Sequence, residues 1–384
     1  MTYIAAALTL GFAGTAQASE QWQFDEATGT LTFTPVGNPY KGGIIDWSVG
    51  GNPQGIGAGC LTCDHPPGYP DSLPDTVDRL VIRMTHRGRG ELHRIQDIAR
   101  SGIPIHVESD NPRATLTIET YTPQGPLRVR GVGHGLDLNG DGRINITFAP
   151  SLLSYLTLIA EQRRLNNHID LRHLRAFRQG PRTGAYIQTF GGNDTILGSP
   201  ANDEIRAGGG NNRIWLGAGD DSVRTGNGNN RIWPVSGRSF ISTGTGNDIV
   251  YRARGVRTIK TRGGINRLYG GSGRNDIEHS GRTGRSLIIG GPQRDQLGSY
   301  ANGSILIANG GRGNILEGFG PRTLLRGGRG NDHFRTSPRS PARIDCGGGN
   351  RNRLYGPRPG VGGPYRLRNC HQYFHQGRWH PWPR

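Results

Sequence analysis

Lysine is almost missing: of 46 basic residues only Lys41 and Lys260 are lysines, so the formal charge of +17 is carried by arginine. Methionine occurs twice and cysteine four times, too little cysteine for a disulfide-dense scaffold. Hydrophobic residues make up 33% and aromatic residues 7%, which argues against one large conventional core. No run approaches the roughly 18 apolar residues that a membrane-spanning helix requires. No Gly-x-Ser-x-Gly elbow is present, and His86, Glu91 and His93 do not have metalloprotease helix spacing. Asp64-His65 beside Cys60-Leu61-Thr62-Cys63 reads as a loop cluster, so the catalytic residues are unknown and the balance leans away from an enzyme.

What the chain has is glycine, 64 in 384 residues, against a usual share of about 7%. Interior glycine costs a helix about 1 kcal/mol each, so a helix-rich fold is excluded. Collagen is excluded too, because the glycines do not recur at every third position. The charge is regional. Residues 1–187 balance at 17 basic and 17 acidic side chains, while 188–384 hold 29 and 12.

From Phe190 a nine-residue period runs through Gly191-Gly192-Asn193-Asp194-Thr195-Ile196, Gly217-Ala218-Gly219-Asp220-Asp221-Ser222-Val223 and Gly244-Thr245-Gly246-Asn247-Asp248-Ile249-Val250. An aliphatic residue falls at 196, 205, 214, 223, 232, 241, 250, 259 and 268 without a slip. After Ile277 the register stutters and then recovers near Asp295, Asp332 and Asn352. The glycine half of each repeat suits a turn with positive φ, and the x-Ile-x half suits a short strand with its central side chain inward. Two repeats make an eighteen-residue coil, and coils stack so that each contacts only its neighbours. The expectation is an all-β chain: a parallel β-roll or β-solenoid over 188–356, preceded by a separate β-rich domain over 19–187 with a β-helical form as an option. Residues 357–384 are expected as a basic, aromatic C-terminal cap or tail.

This period resembles the calcium-binding nonapeptide repeats of RTX (haemolysin-type) proteins. The resemblance implies Ca²⁺ held between stacked turns by the sixth-position aspartate and turn carbonyls. That position carries Asp194, Asp203, Asp221, Asp248, Asp295 and Asp332, but Asn212, Asn230, Asn266, Asn275 and Asn352 elsewhere, with Ser239 and Arg257 in worn copies. Ca²⁺ prefers carboxylate oxygens. Asp203 and Asp221, eighteen residues apart, are therefore the best expected pair. A few sites are expected between 190 and 222, and a largely metal-free stack beyond, since asparagine amides both donate and accept.

A second register is outward. Trp215, Trp233, Tyr251 and Tyr269 recur every eighteen residues, with Arg213, Arg231, Ile249 and Arg267 two positions earlier. In the place equivalent to the aromatics, the opposite sheet carries Arg206, Arg224, Ser242, Lys260 and Glu278. Two readings stay open: rings that stabilise adjacent strands, or an aromatic and arginine stripe for an extended anionic ligand. In the second reading an acidic polysaccharide is favoured over nucleic acid, because the chain reads as exported. Ile4–Ala16 is apolar and Ala16-Gln17-Ala18 fits a signal-peptidase site, giving a signal peptide over 1–18, although no basic residue precedes it. The expected location is secreted, extracellular or cell-surface, with the periplasm as an option, and the expected disulfides are Cys60–Cys63 and Cys346–Cys370.

In the first domain, strands are expected at Thr30–Thr34, Thr115–Thr120, Leu127–Gly131 and Ile144–Ala149. Near Ser151–Leu165 a helix is expected, with Tyr155–Ile159 as another rung of solenoid the equal alternative. Asp137-Leu138-Asn139-Gly140-Asp141-Gly142-Arg143-Ile144-Asn145 matches the first nine positions of an EF-hand or dockerin calcium loop, but Phe148 stands where the bidentate glutamate belongs. Asp137, Asn139 and Asp141 are expected to hold calcium weakly. The function read from these features is an exported, calcium-binding solenoid with a binding or structural role. The alternative is a polysaccharide lyase or epimerase acting from the first domain.

Overall fold

The computed structural model describes 125–355, except 161–162, 179, 181–182, 312, 338–341 and 350. Outside that range it describes strand segments within 21–122, and 366–370, 372–375 and 378–381. The signal-peptide reading, Asp64-His65 and the Cys60–Cys63 pairing lie outside the described residues. Every described regular element is a β-strand. The chain divides into two compact units, the second holding 185–384 with 160–172 and 123–127.

In the second unit the eighteen-residue coil is the pairing rule. One sheet, sheet 1, aligns Ile196, Ile214, Ile232, Val250 and Leu268 in parallel register. The facing sheet 2 aligns Ile187, Ile205, Val223, Ile241, Ile259 and Ile277. These side chains are fully buried, and x-Ile-x strands too short to bury both faces leave their flanking residues outward. Past Ile277 the coils lengthen, pairing Ile277 with Leu297 and Leu268 with Ile288, and the extra residues sit in the turns. The inward column continues unbroken to Leu354 on sheet 2 and Leu367 on sheet 1. Gly210 and Gly228 show why the turns need glycine. Both have positive φ, and a Cβ on either would collide with the carbonyl oxygen of the turn eighteen residues earlier.

The far end is closed differently. Gln372–His375 adds to sheet 2 beside Tyr355 and folds back on Arg378–Pro381 as an antiparallel hairpin. Arg366–Arg368 extends sheet 1, and the expected Cys346–Cys370 disulfide is present.

The first unit is also a parallel coil. Thr30–Thr34, Arg79–Met84, Ile105–Ser109 and Ile146–Phe148 pair in parallel, as do Gly43–Val49, Arg89–His93 and Thr115–Thr122. The expected strands at Thr30–Thr34 and Thr115–Thr120 are observed, the latter as Thr115–Thr122; those at 127–131 and 144–149 appear as Arg128–Gly133 and Ile146–Phe148. The helix option near Ser151–Leu165 is replaced by strand Leu153–Ala160. There Leu156, Leu158 and Ala160 share one fully buried strand face.

Candidate metal centre

Each turn that leads into a strand places its sixth residue inside the coil, next to the first inward aliphatic. These positions form two columns of buried polar side chains. On the sheet 1 side the column is Asp194, Asn212, Asn230, Asp248 and Asn266, all at most 1% exposed. On the sheet 2 side it includes Asp203, Asp221, Ser239, Asn275, Asp295, Asn314, Asp332 and Asn352.

The columns are hydrogen-bonded ladders. Asp194 N–H donates to Asn212 Oδ1 at 3.0 Å, Asn212 N–H to Asn230 Oδ1 at 3.2 Å, and Asn230 N–H to Asp248 Oδ1 at 2.9 Å. Across the coil Asp203 N–H donates to Asp221 Oδ1 at 3.0 Å, so these two carboxylates do stack. Asparagine adds a second link through its side-chain amide. Asn230 Nδ2 donates to its own turn at Gly228 O (3.0 Å) and to Asp248 Oδ1 (2.9 Å).

The six aspartates fall into two groups by their second oxygen. Asp203 Oδ2 accepts Ser199 N–H at 2.6 Å, Asp295 Oδ2 accepts Gly291 N–H at 2.6 Å, and Asp332 Oδ2 accepts Gly328 N–H at 2.8 Å. The Oδ2 atoms of Asp194, Asp221 and Asp248 are buried and receive no hydrogen bond. The Thr243 hydroxyl faces the Asp248 carboxylate, but neither Thr243 Oγ1 nor Asp248 Oδ2 completes a hydrogen bond. Burial drives all six carboxyl pKa values up, Asp203 to about 7 and Asp221 to about 8, with Asp203 and Asp220 adding repulsion at Asp221. A buried carboxylate oxygen with no donor is costly unless it is protonated or meets a cation. That chemistry fits a hard, oxygen-seeking ion at Asp194, Asp221 and Asp248. Among the described residues no three His, Cys, Asp or Glu side chains converge. Such an ion would therefore be held by no more than two carboxylates, completed by turn carbonyls.

The Asp137 loop is tied together by its own main-chain amides. Asp137 is 2% exposed. Its Oδ1 accepts Gly140 N–H at 2.6 Å and its Oδ2 accepts Gly142 N–H at 2.9 Å. Asn139 Nδ2 lies 3.4 Å from Asp141 Oδ2 in the exposed part of the loop. Asn145, the ninth position of the motif, ties the loop down by accepting Leu138 N–H at 2.7 Å.

The outward register is observed. Arg213 pairs with Arg231 and Trp215 with Trp233, and Ile249 with Arg267. Trp215 and Trp233 stack at 4.3 Å and 4°, and Trp233 and Tyr251 at 4.7 Å and 7°. Tyr269 follows one rung on and pairs with Ile289. Both faces of Trp233 are covered by its neighbours, so a sugar or base has ring edges to meet there, not the open face expected from the sequence. Arg213, Arg231 and Arg267 are exposed, and among the described residues none of them forms an ion pair. On sheet 2 the arginines are engaged. Arg206 meets Glu204 at 2.8 Å and lies over Tyr186, Arg224 lies over Phe240, and Arg335 meets Glu317 at 2.7 Å. Sheet 2 thus does carry aromatics, in the outward column before the inward aliphatic.

His279 was not among the residues expected to matter. It is fully buried two residues after Ile277, in the column that holds Thr225, Thr243 and Thr261 in earlier coils. Its Nδ1 faces Ser286 Oγ and Asn266 Nδ2, and its Nε2 lies 3.3 Å from Thr283 O. Burial lowers its pKa.

The model of the RTX calcium-binding nonapeptide repeat matches four times, over residues 188–223, 197–232, 224–259 and 258–279. No curated protein and no solved structure matches the chain. The matched segment contains Asp194, Asp203, Asp221 and Asp248, including all three aspartates with an unpartnered oxygen. RTX nonapeptide repeats are calcium-binding, and the coil formed by residues 188–279 of this chain is built from them.

Proposed function

We propose that the roll is the calcium-stabilised scaffold of an exported binding protein, acting outside the cell or at its surface. Sheet 1 holds an anionic polysaccharide along Arg213, Arg231 and Arg267. The observation that supports this is a local contrast: these arginines stand exposed in one outward column, interrupted only at Ile249, without acidic partners, whereas Arg206, Arg224 and Arg335 on sheet 2 meet Glu204 or Glu317. Parallel rungs repeat at about 4.8 Å, so the guanidinium groups form a rigid row that meets carboxylates or sulfates along an extended polymer. The stacked Trp215, Trp233 and Tyr251 keep the row straight and add apolar edge contact.

The test is retention of the calcium-loaded full chain on alginate and heparin columns. The triple substitution Arg213→Gln, Arg231→Gln, Arg267→Gln is expected to abolish retention at moderate salt, while Arg206→Gln with Arg224→Gln leaves it nearly unchanged. Equal losses from both sets would reduce the effect to net charge and overturn the proposal. Retention on DNA alone would replace polysaccharide by nucleic acid.

A further inference from the structure

We infer that calcium enters this roll at Asp194, Asp221 and Asp248, and that asparagine side-chain amides stand in the ion's place at Asn275 and Asn314. The first half of the statement rests on the three buried Oδ2 atoms without a donor. The second rests on what the asparagines do. Asn314 Nδ2 donates to Gly310 O of its own turn at 2.7 Å and to Asp332 Oδ1 of the next at 2.8 Å. Asn275 Nδ2 likewise reaches Gly273 O at 2.7 Å and Asp295 Oδ1 at 2.8 Å. One NH₂ group thus ties a turn carbonyl to the carboxylate one coil on, joining the same two kinds of oxygen that a bridging cation would join.

The alternation Asn275, Asp295, Asn314, Asp332, Asn352 makes this complete. Each aspartate in it has donors on both oxygens: the amide and main-chain N–H of the preceding asparagine on Oδ1, and its own turn's N–H on Oδ2. In the first coils the pattern fails in a graded way. Asp194 and Asp248 keep the asparagine donors on Oδ1, from Asn167 and Asn230, but their Oδ2 completes no hydrogen bond, although the Thr189 and Thr243 hydroxyls stand near the two carboxyls. At Asp248 the amide four residues back, Gly244 N–H, is turned to Gly226 O instead. Asp221 is the most exposed to the cost, since it follows Asp203 where an asparagine would stand and receives only one main-chain N–H. The chain therefore has the calcium requirement of its repeat family in its first coils and an internal substitute in its later ones.

Calorimetric titration of the full chain with CaCl₂, paired with thermal unfolding in EDTA and in calcium, tests this as differences from the unaltered protein. Asp221→Asn is expected to remove one bound calcium, raise the melting temperature in EDTA and shrink the rise that calcium produces. Asp332→Asn is expected to leave both the stoichiometry and the calcium-induced rise unchanged. Asn314→Asp places a third carboxylate between Asp295 and Asp332. It is expected to lower the melting temperature in EDTA and to add one calcium that restores it. Loss of a calcium in Asp332→Asn, or an Asn314→Asp chain as stable in EDTA as the parent, overturns the inference. Should Asn314→Asp fail to fold in either condition, the contrast between Asp221→Asn and Asp332→Asn decides it alone.

Discussion

The coils around 190–250 and those around 275–352 share one core and differ in their turns. Both bury a large apolar residue per strand to at most 1% exposure, in an unbroken parallel register. In the early coils three carboxylates lack a donor on one oxygen, while in the later coils every ladder carboxylate is satisfied from within the chain. The lesson is that the strand half of a nonapeptide sets the architecture, and the turn half sets what the architecture depends on.

The largest effect should show what the two regions have in common. Ile214→Ala and Leu306→Ala each open a cavity beneath a fully buried position, and each should cost about 2–5 kcal/mol in denaturant unfolding with calcium saturating. A clear inequality would mean that the cores differ too. The next effect separates the regions. Asn314→Leu removes the amide links to Gly310 O and Asp332 Oδ1 and the acceptor for Asp295 N–H, and should cost about 3 kcal/mol, whether or not calcium is present.

A pH effect marks the boundary between them. His279 has its folded pKa lowered by burial, so the stability linked to its neutral form is present above the ordinary histidine value and is lost as pH falls through 6.5 and below. Ser286 Oγ, Asn266 Nδ2 and Thr283 O face the ring. Replacing His279 with Gln should flatten the acid limb of melting temperature against pH between about 7 and 5. The smallest effect lies on the surface. Arg335→Gln breaks an exposed pair with Glu317 and should change unfolding by less than about 1 kcal/mol, in either calcium condition.

Much of this was readable from the residues. The run of Ile196, Ile205, Ile214 and Val223 carries the period, and its eighteen-residue multiple predicts which side chains share a sheet. The aspartate and asparagine positions were visible as well, and so was the stacking of Asp203 on Asp221. Which carboxylate oxygen goes unpartnered was not. That depends on whether the main-chain N–H four residues earlier points inward, as at Gly291 and Gly328, or is engaged by another turn, as at Gly244. Turn conformation is decided by contact with the coil beneath, and a linear pattern holds no record of it. The same holds for Trp215 and Trp233. Their register was evident, but the closeness of parallel strands, which turns their faces onto each other, is a property of the stack. His279 had one faint signal, its place in the column otherwise holding threonine.

The eighteen-residue pairing rule makes this protein a scaffold whose length and sidedness are separate variables. Deleting one whole coil, such as 209–226, returns every later strand to the sheet it already occupies, so the roll shortens by one rung and keeps its faces. Deleting nine residues hands every later strand to the opposite sheet, so the exposed arginines and the stacked rings would cease to share a face with their own continuation. Gene-level gain or loss of repeats is then filtered by parity: even changes resize the molecule, and odd ones rewrite its surface.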